Sequence, residues 1–472
     1  MRQFILAFML VSASVWAQQT SSTSTPGSGV KNEEQQEPPT EMGKLKKNCP
    51  EHIVGCVEVL FTGQPLHIAV GSIAPQNGFG AGLAYVGHKD TDNWATSWSA
   101  DAIGSSNGSW RAGFYLKFVD THIAPSDAQM GTTGVNANDI QAYVTYPVYN
   151  VYGQSISLNK LTFFGEGAAT TTLGRSFFGM TEHVFGSNMI WPIYQKLHMS
   201  FSGEINFRIP DIRPDPGQGS PSIETVYTPV TAPGLAHQPF FVQPGLAVRM
   251  QPSTANNLLH FNYSATYQPF IDTEGSGFSF QRLTFDLYQE ISFYHRNMYV
   301  ARDTNDPNDC RLDPTDDHSA CPHATGRSMQ GTLGLRAFTS LSMLPGNNNV
   351  VPFYFQPTLG GSDINGSSSL SSYQDYRFRG PNVLLLQESF DHSIGKWPVA
   401  VALRADQGKV ALLRGDLSSN PWRHSYAAGL SLRAGGFPIM YLLFAFGGKE
   451  GTHTIANVNT SLLGSSARPS LF

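Results

Sequence analysis

The most constraining feature of this chain is an alternation of apolar and polar residues that recurs from residue 78 almost to the C-terminus. Residues 259–268 show it clearly: Leu259, Phe261, Tyr263, Ala265 and Tyr267 alternate with His260, Asn262, Ser264, Thr266 and Gln268. Segments 282–292 and 423–434 follow the same rule, apart from Tyr288 and Gln289. A period of two places neighbouring side chains on opposite faces of a β-strand, so the pattern predicts an all-β protein.

Two classes of β-protein alternate in this way, and the length of the pattern favours one of them. A soluble sandwich domain usually closes by about 250 residues, whereas this alternation continues much further. Charged residues make up 14% of the chain, against roughly 25% in soluble domains. The mean hydropathy of -0.20 suits a wall whose side chains face lipid and lumen in turn. We therefore expect a transmembrane antiparallel β-barrel.

The N-terminus indicates export. Residues 1–17 combine a cation at Arg2, an apolar run from Phe4 to Val11 and small or β-branched residues at Val15 and Ala17, which is typical of a signal peptide. No later run reaches the roughly 18 apolar residues of a membrane-spanning helix, although residues 437–446 would suit a tilted strand. The expected location is the bacterial outer membrane.

The chain is expected to divide into four parts. After the signal peptide, residues 18–47 are rich in Ser, Thr, Pro, Glu and Gln and are predicted to form a disordered linker. Residues 48–77 are predicted to be a short periplasmic or plug segment, and residues 78–472 the barrel. Outer-membrane lipid and other envelope proteins are the expected partners. A net charge of -5 gives no basic surface for nucleic acid, and no cofactor is expected.

One polar segment between predicted strands looks like a loop folded back into the barrel. It begins at Leu359-Gly360-Gly361, continues through residues 370–380 and precedes a strand that contains Arg404-Ala405-Asp406-Gln407-Gly408. The order and spacing resemble the outer-membrane protein 85 superfamily, also called the bacterial surface antigen family. In that family Leu-Gly-Gly leads into a loop with Val/Leu-Arg-Gly-Phe/Tyr, and a later strand carries aromatic-x-Asp-x-Gly. The terminal Phe472 is also similar to the endings of many bacterial outer-membrane barrels.

The resemblance implies a fold and a place for the loop. Sixteen strands are implied, with the loop inside the lumen. The short N-terminal region implies a branch that lacks periplasmic docking repeats. After the loop we predict five strands, near 382–393, 397–412, 422–435, 438–448 and 452–463. Before it we find about twelve candidates where the family has eleven, so either the split within 139–165 or the segment 350–358 is expected to be wrong.

The chain departs from the family at the loop arginine. Ser371-Ser372 stands where the family has Arg-Gly, and Arg404 stands where an aromatic residue precedes the aspartate. The resemblance implies a loop arginine beside Asp406, and Arg377 and Arg379 are the nearest candidates. We favour Arg379 because Gly380 would let the backbone turn there. The predicted lumen lock comprises Arg377, Arg379, Gly380, Asp406 and Gly408. In the alternative, both arginines lie in a solvated loop and Asp406 pairs with Arg404 or water.

The four cysteines form two local pairs. Cys49 pairs with Cys56 and Cys310 with Cys321 in the expected oxidising compartment, giving two small disulfide loops. Zinc binding by Cys310, Cys321, His318 and His323 is a less favoured alternative, because exported thiols usually oxidise. Calcium binding is a second alternative, suggested by six acidic residues: Asp303, Asp306, Asp309, Asp313, Asp316 and Asp317. A solvated, disulfide-pinned loop is the favoured reading, so no metal site is predicted.

Three functional classes are compatible with such a barrel. The resemblance implies a relative of insertase and secretion-pore barrels, with a pore, translocation or assembly role. The alternative is a surface or envelope-organising barrel that acts through its extracellular loops. A barrel hydrolase is less favoured, since no Gly-x-Ser-x-Gly or His-Glu-x-x-His motif occurs. Its candidate histidines are scattered: His183, His198, His237, His260 and His295.

Overall fold

A computed structural model describes most of the chain. The described residues are 66–122, 146–214, 219–254, 258–300, 323–395, 397–434, 437–448 and 450–458. The four cysteines and the acidic stretch from Asp303 to Asp317 lie outside these ranges. The disulfide prediction, with its zinc and calcium alternatives, therefore stays a prediction.

Twenty-one strands are present in the described part of the chain. The first eleven and their bounds are β1 Leu66–Ser72, β2 Phe79–Asp90, β3 Trp94–Ser105, β4 Trp110–Asp120, β5 Val148–Phe163, β6 Ser176–Tyr194, β7 Met199–Arg213, β8 Phe241–Met250, β9 Ser253–Thr254, β10 Leu259–Asp272 and β11 Phe280–Val300. The others are β12 His323–Met343, β13 Thr358–Leu359, β14 Gly361–Ser362, β15 Ser368–Ser369, β16 Phe378–Arg379, β17 Asn382–Ser393, β18 Val399–Ala411, β19 Arg423–Ala434, β20 Phe437–Gly448 and β21 Gly451–Val458. The helices are short: α1 Ile223–Val226, α2 Asp416–Ser419 and the 3-10 turns Thr172–Gly174, Gln195–Leu197 and Phe353–Phe355.

Seventeen of the described strands form one antiparallel up-and-down sheet. Each strand pairs with the next along the chain, except that β8 and the two-residue β9 both pair with β10, and β12 pairs with β17 across the intervening segment. The predicted all-β antiparallel fold is confirmed. Pairing between β1 and β21, which would close a barrel, is not seen among the described residues, so closure and the count of sixteen stay predictions.

The sheet has two ends that differ in what they carry. The segment 344–381, here called the plug segment, joins β12 to β17, and the end of the sheet from which it leaves is called the plug end. β1 begins and β21 finishes at the opposite end, here called the terminal end. β11 ends and β12 begins at the terminal end.

The strand predictions succeed downstream of the plug segment and differ from the structure at three places before β17. The five predicted strands match β17 to β21 to within a few residues, apart from the C-terminal end of the last. The sheet begins earlier than expected, because residues 66–72 pair with β2 over seven positions instead of forming a separate segment. Residues 350–358 are not a strand, since a 3-10 turn occupies Phe353–Phe355. Residues 148–163 form a single strand.

The two faces of the sheet have opposite polarity. Cross-strand register places exposed apolar side chains from many strands on one face. Among them are Leu83, Phe114, Val151, Phe185, Phe207, Leu246, Leu287, Leu335, Leu386, Leu403, Leu430 and Phe444. A soluble sheet covers its apolar face, so an exposed face of this extent indicates an apolar surrounding.

The opposite face, here called the inner face, carries charged side chains that pair between strands. Arg111 bonds Asp101 at 3.2 Å, and Arg208 bonds Glu182 at 2.7 Å. Arg336 holds Asp286 through two bonds of 2.8 Å, from Nε and Nη2, and Arg433 pairs with Asp391. A buried charge is tolerated only when a partner and hydrogen bonds compensate its lost hydration. The inner face therefore meets the electrostatic requirement of a lumen.

No helix in the described ranges is long and apolar enough to cross a membrane.

The polarity of the two faces predicts how charge is tolerated. Leu287→Arg places a cation on the exposed apolar face and should reduce stability in phospholipid vesicles by about 2–4 kcal/mol. Ser264→Arg, on the inner face opposite Asp286, is the matched control and should cost much less. Urea titration of protein folded into vesicles measures both. Equal losses would show that the polarity of the faces has been misassigned.

Candidate functional site

The plug segment folds into two small hairpins behind a 3-10 turn. β13 pairs with β16, and β14 pairs with β15. Gly360 and Gly361 have φ values of 102° and 58°, a region that side chains with a Cβ rarely adopt. A Cβ on Gly361 would also lie 2.5 Å from Oδ1 of Asp375. The Leu-Gly-Gly motif of the sequence is thus needed for the turn that starts the hairpins.

One side of the plug segment is anchored by aromatic packing. Phe353 and Phe355 are fully buried. The ring of Phe353 lies 5.0 Å from that of Phe163 on β5, and the ring of Phe355 lies 5.0 Å from that of Phe241 on β8. Such aromatic pairs add about 0.5–1.5 kcal/mol each beyond the area they bury. The plug segment is therefore held against β5 and β8 mainly by apolar contact.

The other side packs on β17 and β18. Four plug side chains form a buried cluster with three strand residues: Leu359, Leu370, Tyr373 and Phe378 with Val383, Leu385 and Val410. Gly408 on β18 faces this cluster, and a Cβ there would approach Cδ1 of Leu359 to 2.7 Å. The predicted site residue Gly408 thus has a steric role, because its missing side chain makes room for the plug segment.

Three polar side chains on neighbouring strands bind the backbone of the plug segment. Gln387, Asp406 and Ser425 lie side by side on β17, β18 and β19, and they are here called the polar row. Gln387 donates to the carbonyl of Ser368 at 3.0 Å and to Asp406 at 3.0 Å. Asp406 accepts backbone N–H groups of residues 370 and 371, and the N–H of residue 372 donates to Ser425 Oγ at 2.8 Å.

Asp406 therefore does hold the plug segment, but not through an arginine. Its partners are Gln387 and two backbone N–H groups, and it forms no ion pair with any described residue. The predicted lock between Asp406 and Arg377 or Arg379 is not the arrangement that the structure shows. Pairing with Arg404 is not seen either, since that guanidinium lies over the ring of Tyr441, 4.8 Å from its centroid.

Arg377 instead ties the plug segment to two distant turns. Its Nε bonds both carboxylate oxygens of Glu450, at 2.7 and 2.9 Å. Its Nη1 and Nη2 donate to the hydroxyl and the carbonyl of Thr170, at 2.9 and 2.8 Å. The guanidinium is buried between the rings of Phe164 and Phe378. It is a well-satisfied charge that links three parts of the chain.

Arg379 supports the 3-10 turn within the plug segment. Its Nη1 donates to the carbonyl of Phe353 at 2.6 Å, and Arg282 on β11 donates to the carbonyl of Phe355. Gly380 does not adopt a positive φ, so the expected turn at this glycine is wrong. Its N–H donates to the carbonyl of Pro357 at 3.3 Å, which continues the pairing of β13 with β16.

Neither His183 nor His237, two of the candidate residues for a hydrolase, forms a catalytic triad with the described residues. The Nδ1 atom of His183 lies 2.8 Å from Ser155 Oγ on the outer face, and no carboxylate bonds this histidine in the described part of the chain. His237 contacts Glu274 and Ser276 through the same atom, Nε2. A triad needs the acid and the serine on opposite ring nitrogens. No group of metal-binding side chains is found among the described residues.

No family model and no curated protein matches this chain. CdiB from Acinetobacter baumannii is similar to it at 10% identity and a TM-score of 0.42, and the match covers 83% of this chain and 59% of that chain. BamA from Haemophilus ducreyi lacking POTRA domains 1–3 is similar at 10% identity and a TM-score of 0.45, covering 83% of this chain and 67% of that chain. CdiB from Escherichia coli is similar at 11% identity and a TM-score of 0.44, covering 81% of this chain and 58% of that chain. These neighbours are barrels of the outer-membrane protein 85 superfamily. The chain spans less than two thirds of the length of either CdiB.

The polar row predicts a graded effect of changes at Asp406. Asp406→Ala leaves two buried N–H groups without an acceptor and should loosen the plug segment by about 1–3 kcal/mol, whereas Asp406→Asn keeps one acceptor oxygen and should act more mildly. Trypsin cleavage after the buried Arg377 and Arg379 reports release of the segment. Asp416→Ala, at the exposed first residue of α2, is the control. Resistance of Asp406→Ala equal to wild type would contradict the role of the polar row.

Glu166 lies in the connection between β5 and β6, where it accepts a hydrogen bond from Gln356 of the plug segment. Burial raises the pKa of Glu166 to about 7, against the opposing effects of Gln356 and Arg379. An acid whose pKa is raised in the folded state stabilises the fold when it is protonated. The stabilisation by protonated Glu166 is therefore present at low pH and is lost as pH rises towards 7. Glu166→Gln should protect the plug segment from trypsin at pH 8 and change little at pH 5. Equal protection at both pH values would argue against this titration.

Proposed function

We propose that this protein is an outer-membrane β-barrel of the pore or translocation class, held closed by its plug segment. The observation that carries the proposal is the polarity of the sheet: its inner face is charged and its exposed face is apolar. The plug segment crosses from the aromatic cluster on β5 and β8 to the cluster on β17 and β18. A lumen filled in this way at one end would not conduct in its resting state.

The contacts of the plug segment suggest how it could control the barrel. Two consecutive residues of the segment reach opposite edges of the sheet. The hydroxyl of Tyr376 donates to the carbonyl of Pro75, in the turn between β1 and β2, at 3.1 Å. Arg377 bonds Glu450, in the turn between β20 and β21. The plug segment therefore links the first and last hairpins from inside, and displacing it would loosen both.

The backbone at this link is strained. Tyr376 has a φ of 61°, although it is not a glycine, and its side chain is 2% exposed. A left-handed residue of this kind costs about 1–3 kcal/mol and persists where its surroundings enforce it. Strain at a contact between moving parts supports a plug that can be released, because release recovers part of this cost.

A surface or envelope-organising role is the second candidate. It is favoured by apolar side chains that stand out from connections at the plug end. Leu173, Val230 and Leu413 are 95%, 87% and 66% exposed. Such residues offer contact area to another envelope protein. This role needs no opening of the lumen, so conductance separates the two candidates.

Planar-bilayer recording tests the closed-plug proposal. Wild type should conduct weakly, while replacement of residues 352–379 by a short Gly-Ser linker should give a steady conductance. Glu450→Gln should give intermittent opening, because it removes the charge that holds Arg377. Glu274→Gln, which alters an exposed carboxylate at the same end, is the control.

Two outcomes would count against the proposal. Wild type that conducts as well as the linker variant would show that the plug segment does not close the lumen. If all variants insert and none conducts, the pore class is excluded and the surface role is favoured.

A further inference from the structure

A group of cations lies on the outer face at the plug end of β5, β6 and β7. Lys160 Nζ and Arg175 Cζ lie 5.4 and 5.5 Å from the centroid of the same ring, that of Phe177. Arg213 pairs with Gly179, two residues from Phe177 on the same face of β6. These three cations and Phe177 are here called the cation cluster. The ring fixes Lys160 and Arg175 near each other through cation–π attraction.

The charge of the cation cluster is not neutralised within the described part of the chain. None of its three cations forms an ion pair with a described carboxylate. Two acids lie near the cation cluster: Asp211, two residues before Arg213, and Glu224, whose carboxylate accepts from Ser222, the residue bridged to Phe177. Neither forms an ion pair with a described cation. The Nη2 atom of Arg213 donates to Ser157 Oγ and to the carbonyl of Leu158, at 2.9 and 3.1 Å, while its Nε is buried without a partner. Unpaired cations this close together favour an anionic ligand.

The surface beside the cation cluster changes polarity in a definite order along the strands. Nearest the cations, Thr181 donates to Ser157 at 3.2 Å, and one step further His183 contacts Ser155 at 2.8 Å. Ile209 is exposed opposite His183, and beyond it the same strands expose Val151, Phe185 and Phe207. Cations, hydroxyl groups and apolar side chains thus follow one another over a few residues of each strand.

We propose that the cation cluster binds the phosphate of an anionic lipid whose acyl chains lie against the apolar side chains of β5 to β7. The proposal rests on the proposed function, since it takes the exposed face to be covered by lipid. A free phosphate ion would use the cations but not the adjoining apolar surface, so the lipid is the ligand that fits the whole site. Basic side chains at a membrane surface attract anionic lipid in this way.

Native mass spectrometry of the full chain tests the site. The probes are phosphatidylglycerol, phosphatidylcholine and inorganic phosphate. Wild type should retain phosphatidylglycerol in preference to phosphatidylcholine, and free phosphate should not displace it. The double variant Lys160→Gln with Arg175→Gln should bind phosphatidylglycerol more weakly, by roughly fivefold for each cation removed. Arg213 is left unchanged because it also bonds β5.

A matched control keeps the result specific. The double variant Lys117→Gln with Arg414→Gln removes the same charge from an inner-face position and an exposed turn, and it should bind like wild type. Equal binding by both double variants would overturn the site, as would full displacement by phosphate.

Insertion into phosphatidylcholine vesicles is measured in parallel. If wild type inserts there without preferring phosphatidylglycerol, only the lipid site fails; failure to insert in any lipid removes the proposed function as well.

Discussion

The structure depends on one constraint: a sheet whose exposed face is apolar must satisfy its polar side chains on the inner face. The ion pairs between neighbouring strands do this, and that of Arg208 with Glu182 is almost fully buried. Removing one partner would leave an uncompensated buried charge, so these pairs are costly to break. The inner face is then polar enough to receive a plug through hydrogen bonds.

The plug segment uses three kinds of contact that fail in different ways. Aromatic packing of Phe353 and Phe355 is non-directional, so small movements of the plug segment weaken it only in part. The polar row acts on the backbone of the plug segment, so it depends little on the side chains at residues 370–372. The contacts of Arg377 are directional and charged, and they reach Thr170 and Glu450 at once. Movement of the plug segment therefore requires the loss of one specific ion pair as well as general unpacking.

The predictability of the fold follows from the range of the interactions involved. The strands β17 to β21 are predicted well, because side-chain alternation is a local property of each strand. β1 was missed, since it has only seven residues and was assigned to a separate segment. The site was located by Leu359-Gly360-Gly361 and Asp406, but its partners were not. Glu450 lies 73 residues from Arg377, and Thr170 lies 207 residues away, and nothing local in the sequence marks either as a partner.

The amino-acid sequence by itself determined which side chains share a face of each strand, and hence the inversion of polarity, because the period of a β-strand is a local property of the backbone. It also placed the turn of the plug segment, since glycine is favoured at the positive φ of Gly360 and Gly361, where a Cβ would also be crowded. Only the tertiary structure decided that Asp406 binds backbone N–H groups and that Arg377 pairs with Glu450. Those contacts depend on which strands and turns meet inside the sheet, and the period of two carries no information about that.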